Sequence, residues 1–197
     1  MDRVKISGWV INFKDVFDMN MLYLLAHEWL VDEGWAPRVD QEFKEIYYLH
    51  REVANFGTEN WIRWRCKKDP EGIPGEGGKN PLFTFELDTE FHTLGLQKKE
   101  MVLNGKKVKL DKGEVEIRIN AGLVYDKSGF MEKSLLTRPF KKMWYKQVFT
   151  ERWNGLKKEL YHEAYRYREA LNTYLQIEKI RGDVEMAEFW RTRTEVE

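Results

Sequence analysis

At 197 residues and 23.7 kDa the chain can bury one generous core, and 33 Lys and Arg against 33 Asp and Glu leave no net charge to draw the whole molecule to nucleic acid or an anionic membrane. The single cysteine, Cys66, excludes an internal disulfide framework and a cysteine-based zinc site, and reads as a small buried thiol in a reducing compartment. Eight Trp, nine Tyr and eleven Phe are enough to fill a core, line a cavity or furnish an interface.

Met1 to Lys5 lack the apolar run of an export signal, and the most apolar window, Met21 to Val31, is broken by His27 and Glu28 well short of the roughly 20 residues a membrane span needs. The expectation is a soluble, cytoplasmic protein or one inside an assembled particle, with no membrane span. Val4 to Phe13 reads as a strand; neither of its sides is clearly polar, so both are expected to be covered. Asp15 or Asp18 can cap a helix over Val16 to Glu33, because a short carboxylate accepts hydrogen bonds from first-turn amides. Phe17, Met21, Leu24, Leu25 and Trp29 are its expected buried residues, and Gly34 its stop.

Glu42 to Ala54 is read as a strand although Ile46 and Tyr48 spoil a clean alternation. In Glu59 to Lys68, Ile62, Trp64 and Cys66 alternate with Arg63, Arg65 and Lys67, which gives a basic outer face. The stretch Asp69 to Pro81 is dense in Pro and Gly and is the expected mobile loop.

Pro81 to Asp126 is the stretch around which the chain is organised. Phe83, Phe85, Leu87, Thr89, Phe91 and Thr93 fall on one face and Thr84, Glu86, Asp88, Glu90 and His92 on the other, the period of two of a half-buried strand. Val115, Ile117, Ile119, Ala121, Leu123 and Tyr125 repeat the pattern against Glu114, Glu116, Arg118 and Asn120. Between them lies Asn104-Gly105, the pair favoured in type I′ hairpins, so the sheet is antiparallel. If the preceding strand pairs across the loop, Arg63, Arg65 and Lys67 face Glu86, Asp88 and Glu90 in a charge ladder that contributes roughly 0.2–1 kcal/mol per pair and fixes register.

Thr137-Arg138-Pro139-Phe140 resembles a helix entry, and from there to Arg181 Gly155 is the only glycine and no further proline occurs. Trp153, Leu156, Leu160, Ala164, Tyr167, Leu171 and Tyr174 recur at spacings of three and four and make one stripe, in a helix either continuous or bent near Asn154-Gly155. The expected organisation is therefore a sheet domain over 1–136, a long helix over 137–181 packed on it, and a tail over 182–197 that includes Val184, Met186, Phe189 and Trp190.

No catalytic set emerges. His27-Glu28 and His162-Glu163 begin like the zinc-protease helix motif, but the second histidine is replaced by Val31 and Arg166. Gly77-Gly78-Lys79 departs from a phosphate loop at Ile73 and Asn80. Glu86, Asp88, Glu90 and His92 share a strand face and could hold a hard divalent ion, yet the ladder already accounts for the acids, so no metal, cofactor or catalytic residue is assigned. From Lys133 to Arg168 ten Lys or Arg stand against three Asp or Glu, interleaved with Trp144, Tyr145, Trp153, Tyr161, Tyr165 and Tyr167, whereas residues 1–58 carry ten acids and six bases. A basic face packed on an acidic neighbour of the same fold is the expectation, and nucleic acid is not an expected partner.

The order strand, helix, about five to six antiparallel strands in all, then one long helix is similar to the helix-grip architecture of START and polyketide-cyclase-like domains, in which a curved sheet wraps the last helix around an apolar pocket. The likeness is one of element order and carries over no ligand or site. Two functions follow as expectations. The first is a non-enzymatic structural or protein-interaction subunit, such as a virion or tail component, that binds a partner or itself through the C-terminal helix and tail. The second is a small-molecule or lipid-binding domain with a pocket between sheet and helix, lined by Phe83, Phe85, Phe91, Ile117, Ile119, Trp153 and Tyr167.

Overall fold

In the computed structural model, which describes residues 2–39, 42–70, 83–103, 106–125, 140, 143, 147 and 150–194, the chain is an α+β fold built on a five-stranded antiparallel sheet. The strands are β1 (Asp2–Phe17), β2 (Glu45–Val53), β3 (Gly57–Lys68), β4 (Phe83–Leu103) and β5 (Lys106–Tyr125). Helix α1 (Met19–Asp32) follows β1, and helix α2 (Thr150–Thr194) closes the chain. The sheet order is β1-β5-β4-β3-β2, so the long β4–β5 hairpin forms the middle, and β1 and β2 are the edges.

Period-two alternation in β4 and β5 sorts the sheet into an apolar inner face and a polar outer one. The register places Phe91 beside Ile117 and Ile62, and Thr89 beside Ile119 and Trp64. Leu103 pairs with Lys106, which leaves two residues to connect the strands, and the Asn104-Gly105 turn itself lies outside the described residues. So do residues 71–81 of the expected loop and 137–139 of the expected helix entry.

β1 is longer than its sequence pattern indicates: it takes in Val16 and Phe17, and α1 begins only at Met19. Asp18 is the cap, its Oδ1 accepting from the amides of Asn20 at 2.9 Å and Met21 at 3.2 Å. Helix α1 points Met19, Leu22, Ala26 and Leu30 into the core, while Met21 and Leu24, expected inside, are 49% and 45% exposed. The helix is apolar nearly all round, so hydrophobicity does not choose its face; docking against the sheet does. Its end is a Schellman motif in which the Trp35 amide donates to the Leu30 carbonyl at 2.8 Å and Gly34, at φ +73°, to Val31 at 3.1 Å, and Trp35 turns inward.

Helix α2 lies on the same inner face. Trp153, Leu156, Leu160, Ala164, Tyr167, Leu171 and Leu175 are buried along one stripe. Among the described side chains Leu175 takes the last place in that stripe, and Tyr174 donates its hydroxyl to the Asp18 carbonyl at 3.1 Å. Trp29 meets Tyr167 at 4.9 Å between ring centres, and Phe83 meets Trp153 at 5.9 Å, so sheet and both helices share one core. Charges fasten the rim: Lys68 Nζ lies 2.9 Å from Glu163, and Arg166 makes two bonds of 2.8 and 2.9 Å to Glu33 at the end of α1.

The helix does not stop near Arg181 with a separate tail. Its backbone runs through Gly182 to Thr194, 45 residues without interruption, and is not broken at Asn154-Gly155. Gly155 is exposed, and a Cβ there would meet nothing within 4 Å. Gly155→Ala should therefore stabilise the protein by about 0.5–1 kcal/mol through helix propensity alone, read as a higher denaturant midpoint with an unchanged slope. An unchanged or lower midpoint would show that this turn is not helical in solution.

Candidate functional site

The outer sheet face holds the residues of the charge ladder. Register sets Arg63 opposite Glu90, Arg65 opposite Asp88 and Lys67 opposite Glu86. Arg65 Nε approaches Asp88 Oδ1 at 2.7 Å, and Lys67 Nζ lies 3.5 Å from Glu86. Glu90 instead accepts a hydrogen bond at 3.1 Å from the hydroxyl of Tyr47, which reaches across Arg63 from β2.

A residue outside the sequence-derived ladder completes it. Arg3, on β1, crosses β5 to place Nη1 2.8 Å from Asp88 Oδ2 and Nε 3.1 Å from Glu86. Gly122 opens the passage: it pairs with Lys5 on one side and Glu86 on the other, and a Cβ there would press on the Arg3 side chain, with Cγ only 3.0 Å away. Asp88 and Glu86, each 6% exposed, are thus covered by the side chains that neutralise them. Burial pushes the Asp88 carboxyl up, but hydrogen bonds from Arg65 and Arg3, with their charges, outweigh it and hold it below the usual carboxylate range.

This arrangement decides the chemistry open to the acidic face. Glu86 and Asp88 face guanidinium and ammonium groups, Glu90 faces Tyr47, and His92 stacks on Trp61 at 3.6 Å with Nε2 3.2 Å from Glu59. Hydrogen bonds from His92 and Arg51 in turn hold the Glu59 carboxyl low. Each of the four residues that could have formed a metal set is engaged by a cation, a hydroxyl or a ring, and among the described residues no group of three or more His, Cys, Asp or Glu converges on a common point.

The seven residues expected to line an apolar pocket, Phe83, Phe85, Phe91, Ile117, Ile119, Trp153 and Tyr167, lie together in the contiguous core, none more than 4% exposed. Tyr125 and Trp153 are 5.4 Å apart edge to face, and Trp35 and Phe85 6.3 Å apart. The hydroxyls of Tyr167 and Thr89 are buried near one another without hydrogen-bond geometry, and burial raises the Tyr167 phenol far above its ordinary value. Cys66 sits in the same interior, its thiol pushed up to about 12 by burial, with the Asp88 charge adding to it.

Concavities lie at the margins. A groove of about 620 Å³ opens where β4 bulges between Leu94 and Gln97, lined by Lys14, Asp15, Phe56, Lys112 and Glu114, among which Lys14 and Glu114 pair. A second, of about 390 Å³, runs between α1 and β2 over Met19, Tyr23, Leu24, Tyr48 and Ile62. Burial and Glu45 raise the Tyr23 phenol to about 12.

Of the basic, aromatic span, Trp144 and Tyr145 lie outside the described residues. Tyr161 and Tyr165 stand 42% and 41% exposed on α2 and enclose Trp9 of β1, at 5.4 and 6.4 Å between ring centres, with Arg168 over Tyr165. No described helix is long and apolar enough to cross a membrane. No protein-family model, curated protein or solved structure matches the chain.

Because Asp88 titrates below its unfolded value, its contribution is present above about pH 4 and is lost as the pH falls through the folded pKa. Asp88→Asn should cost about 1.5 kcal/mol at neutral pH, at the low end for hydrogen bonds to charged groups because both guanidiniums are about one-third exposed and screened. The melting-temperature difference from the unaltered protein should shrink as the pH falls through that folded value. A difference independent of pH would mean the loss is one of shape and not of charge.

Proposed function

We propose that this protein is a non-enzymatic structural or protein-interaction subunit of a larger assembly, such as a virion or tail component, whose contact element is the C-terminal helix. The observation that carries this reading is the length of α2, whose backbone runs on beyond the stretch from Trp153 to Leu175 over which its described side chains are buried. Side chains from Trp153 to Leu175 cover the sheet, and the helix then continues for 19 residues, about 28 Å at 1.5 Å per residue. That last stretch contains Val184, Met186, Phe189 and Trp190, apolar and aromatic side chains of the kind that anchor protein interfaces. The exposed Tyr161 and Tyr165 support the same reading.

The charge pairs of the outer sheet face are structural in this account, and the aromatic residues between sheet and helix form the core. The double variant Phe189→Glu, Trp190→Glu in the full chain tests the proposal. Native mass spectrometry of the protein drawn from its own source should show the unaltered chain in a stoichiometric protein complex and the variant outside it, with equal melting temperatures. A strict monomer carrying a lipid or other small molecule would overturn it.

A further inference from the structure

The two edges of the sheet are treated differently. β1 carries Lys5 and Lys14, a register shift between Lys5 and Ser7, and α2 packed alongside, all devices that discourage another strand from adding. β2 has little of this. Among the described residues no strand pairs with its outer edge, and every side chain from Glu45 to Glu52 is exposed. Four consecutive large apolar residues stand out on it: Ile46 is 48% exposed, Tyr47 37%, Tyr48 54% and Leu49 54%. They occur on both faces, Tyr48 over the cleft beside α1 and Tyr47 and Leu49 beside Trp61. The one shift in β2 lies at its start, between Glu45 and Tyr47, so Tyr47 to Val53 is regular.

We propose that β2 pairs antiparallel with β2 of a second copy of this chain about a two-fold axis at Leu49, joining two five-stranded sheets into one. The strand is self-complementary in that register. Leu49 meets its own counterpart, Tyr48 meets His50 of the other copy on the inner face, and Tyr47 meets Arg51 of the other copy on the outer face, a guanidinium beside an aromatic ring at both ends. No like charges oppose one another. Centring the axis on His50 or Arg51 would oppose two imidazoles or two guanidiniums, and centring it on Tyr48 would run the pairing into the shift at Ile46. The free backbone groups of the edge supply the hydrogen bonds, and the exposed apolar side chains supply the buried area.

This inference is independent of the helix-mediated contact, and the experiment separates them. The purified protein should sediment as a dimer at high concentration. Leu49→Lys sets two ammonium groups together at the axis and should weaken self-association about 100-fold, with an unchanged circular dichroism spectrum because the side chain is more than half exposed. Mixing Leu49→Lys with Leu49→Glu should restore a dimer containing one chain of each, visible by native mass spectrometry. A monomeric unaltered protein, or a dimer that survives Leu49→Lys, overturns the proposal. If that surviving dimer is lost in Phe189→Glu, Trp190→Glu, the helix is the contact and the strand is not.

Discussion

The pairing of β4 with β5 is the constraint on which the rest depends. Their register runs from Phe83 opposite Tyr125 to Leu103 opposite Lys106, and in doing so decides which residues face the helices. Because side chains alternate with a period of two, a slip of β4 by one residue against β5 would turn Phe85, Leu87 and Phe91 to the solvent side and bring Glu86, Asp88 and Glu90 into the core. Both outcomes are unfavourable by many kcal/mol, so the apolar face and the charge ladder enforce the same alignment from opposite sides of the sheet. Helices α1 and α2 then have one surface on which to bury their apolar stripes.

The sheet was legible because its central strands carry apolar side chains on one side only. β3, β4 and β5 show alternation, and the ladder partners could be named from it. β2 was harder to read for the opposite reason: with both faces exposed at an edge, Ile46, Tyr47, Tyr48 and Leu49 have no side that must be polar. Helix α1 misled in its inward face, since Met21 and Leu24 are as apolar as the buried Leu22 and Leu30, and only the position of the sheet distinguishes them. The backbone of α2 runs past the expected end at 181 because a helix with long flanks can carry Gly182 at a cost of about 1 kcal/mol.

Arg3 could not have been found from the sequence at all. Its place in the ladder requires that β1 lie next to β5 and that β5 have no side chain at 122, two facts that come from different parts of the chain and acquire meaning only together. The functional reading is limited in the same way. Nothing in the pattern marks a reacting group, and what sets this protein apart is surface that its own fold leaves apolar among the described residues: the outer edge of β2 and the tyrosines on α2.

The position of β1 has a consequence for synthesis. Asp2 pairs with Tyr125, so β1 is joined by the strand furthest from it in chain order, with α1 and three strands lying between. Until β5 has been made, β1 has no strand beside it and Trp9, Ile11 and Phe13 have no sheet to join. The nascent chain therefore holds an unpaired, aromatic ribbon while the intervening strands are made, and the closing of β1 onto β5 is the long-range step that completes the sheet.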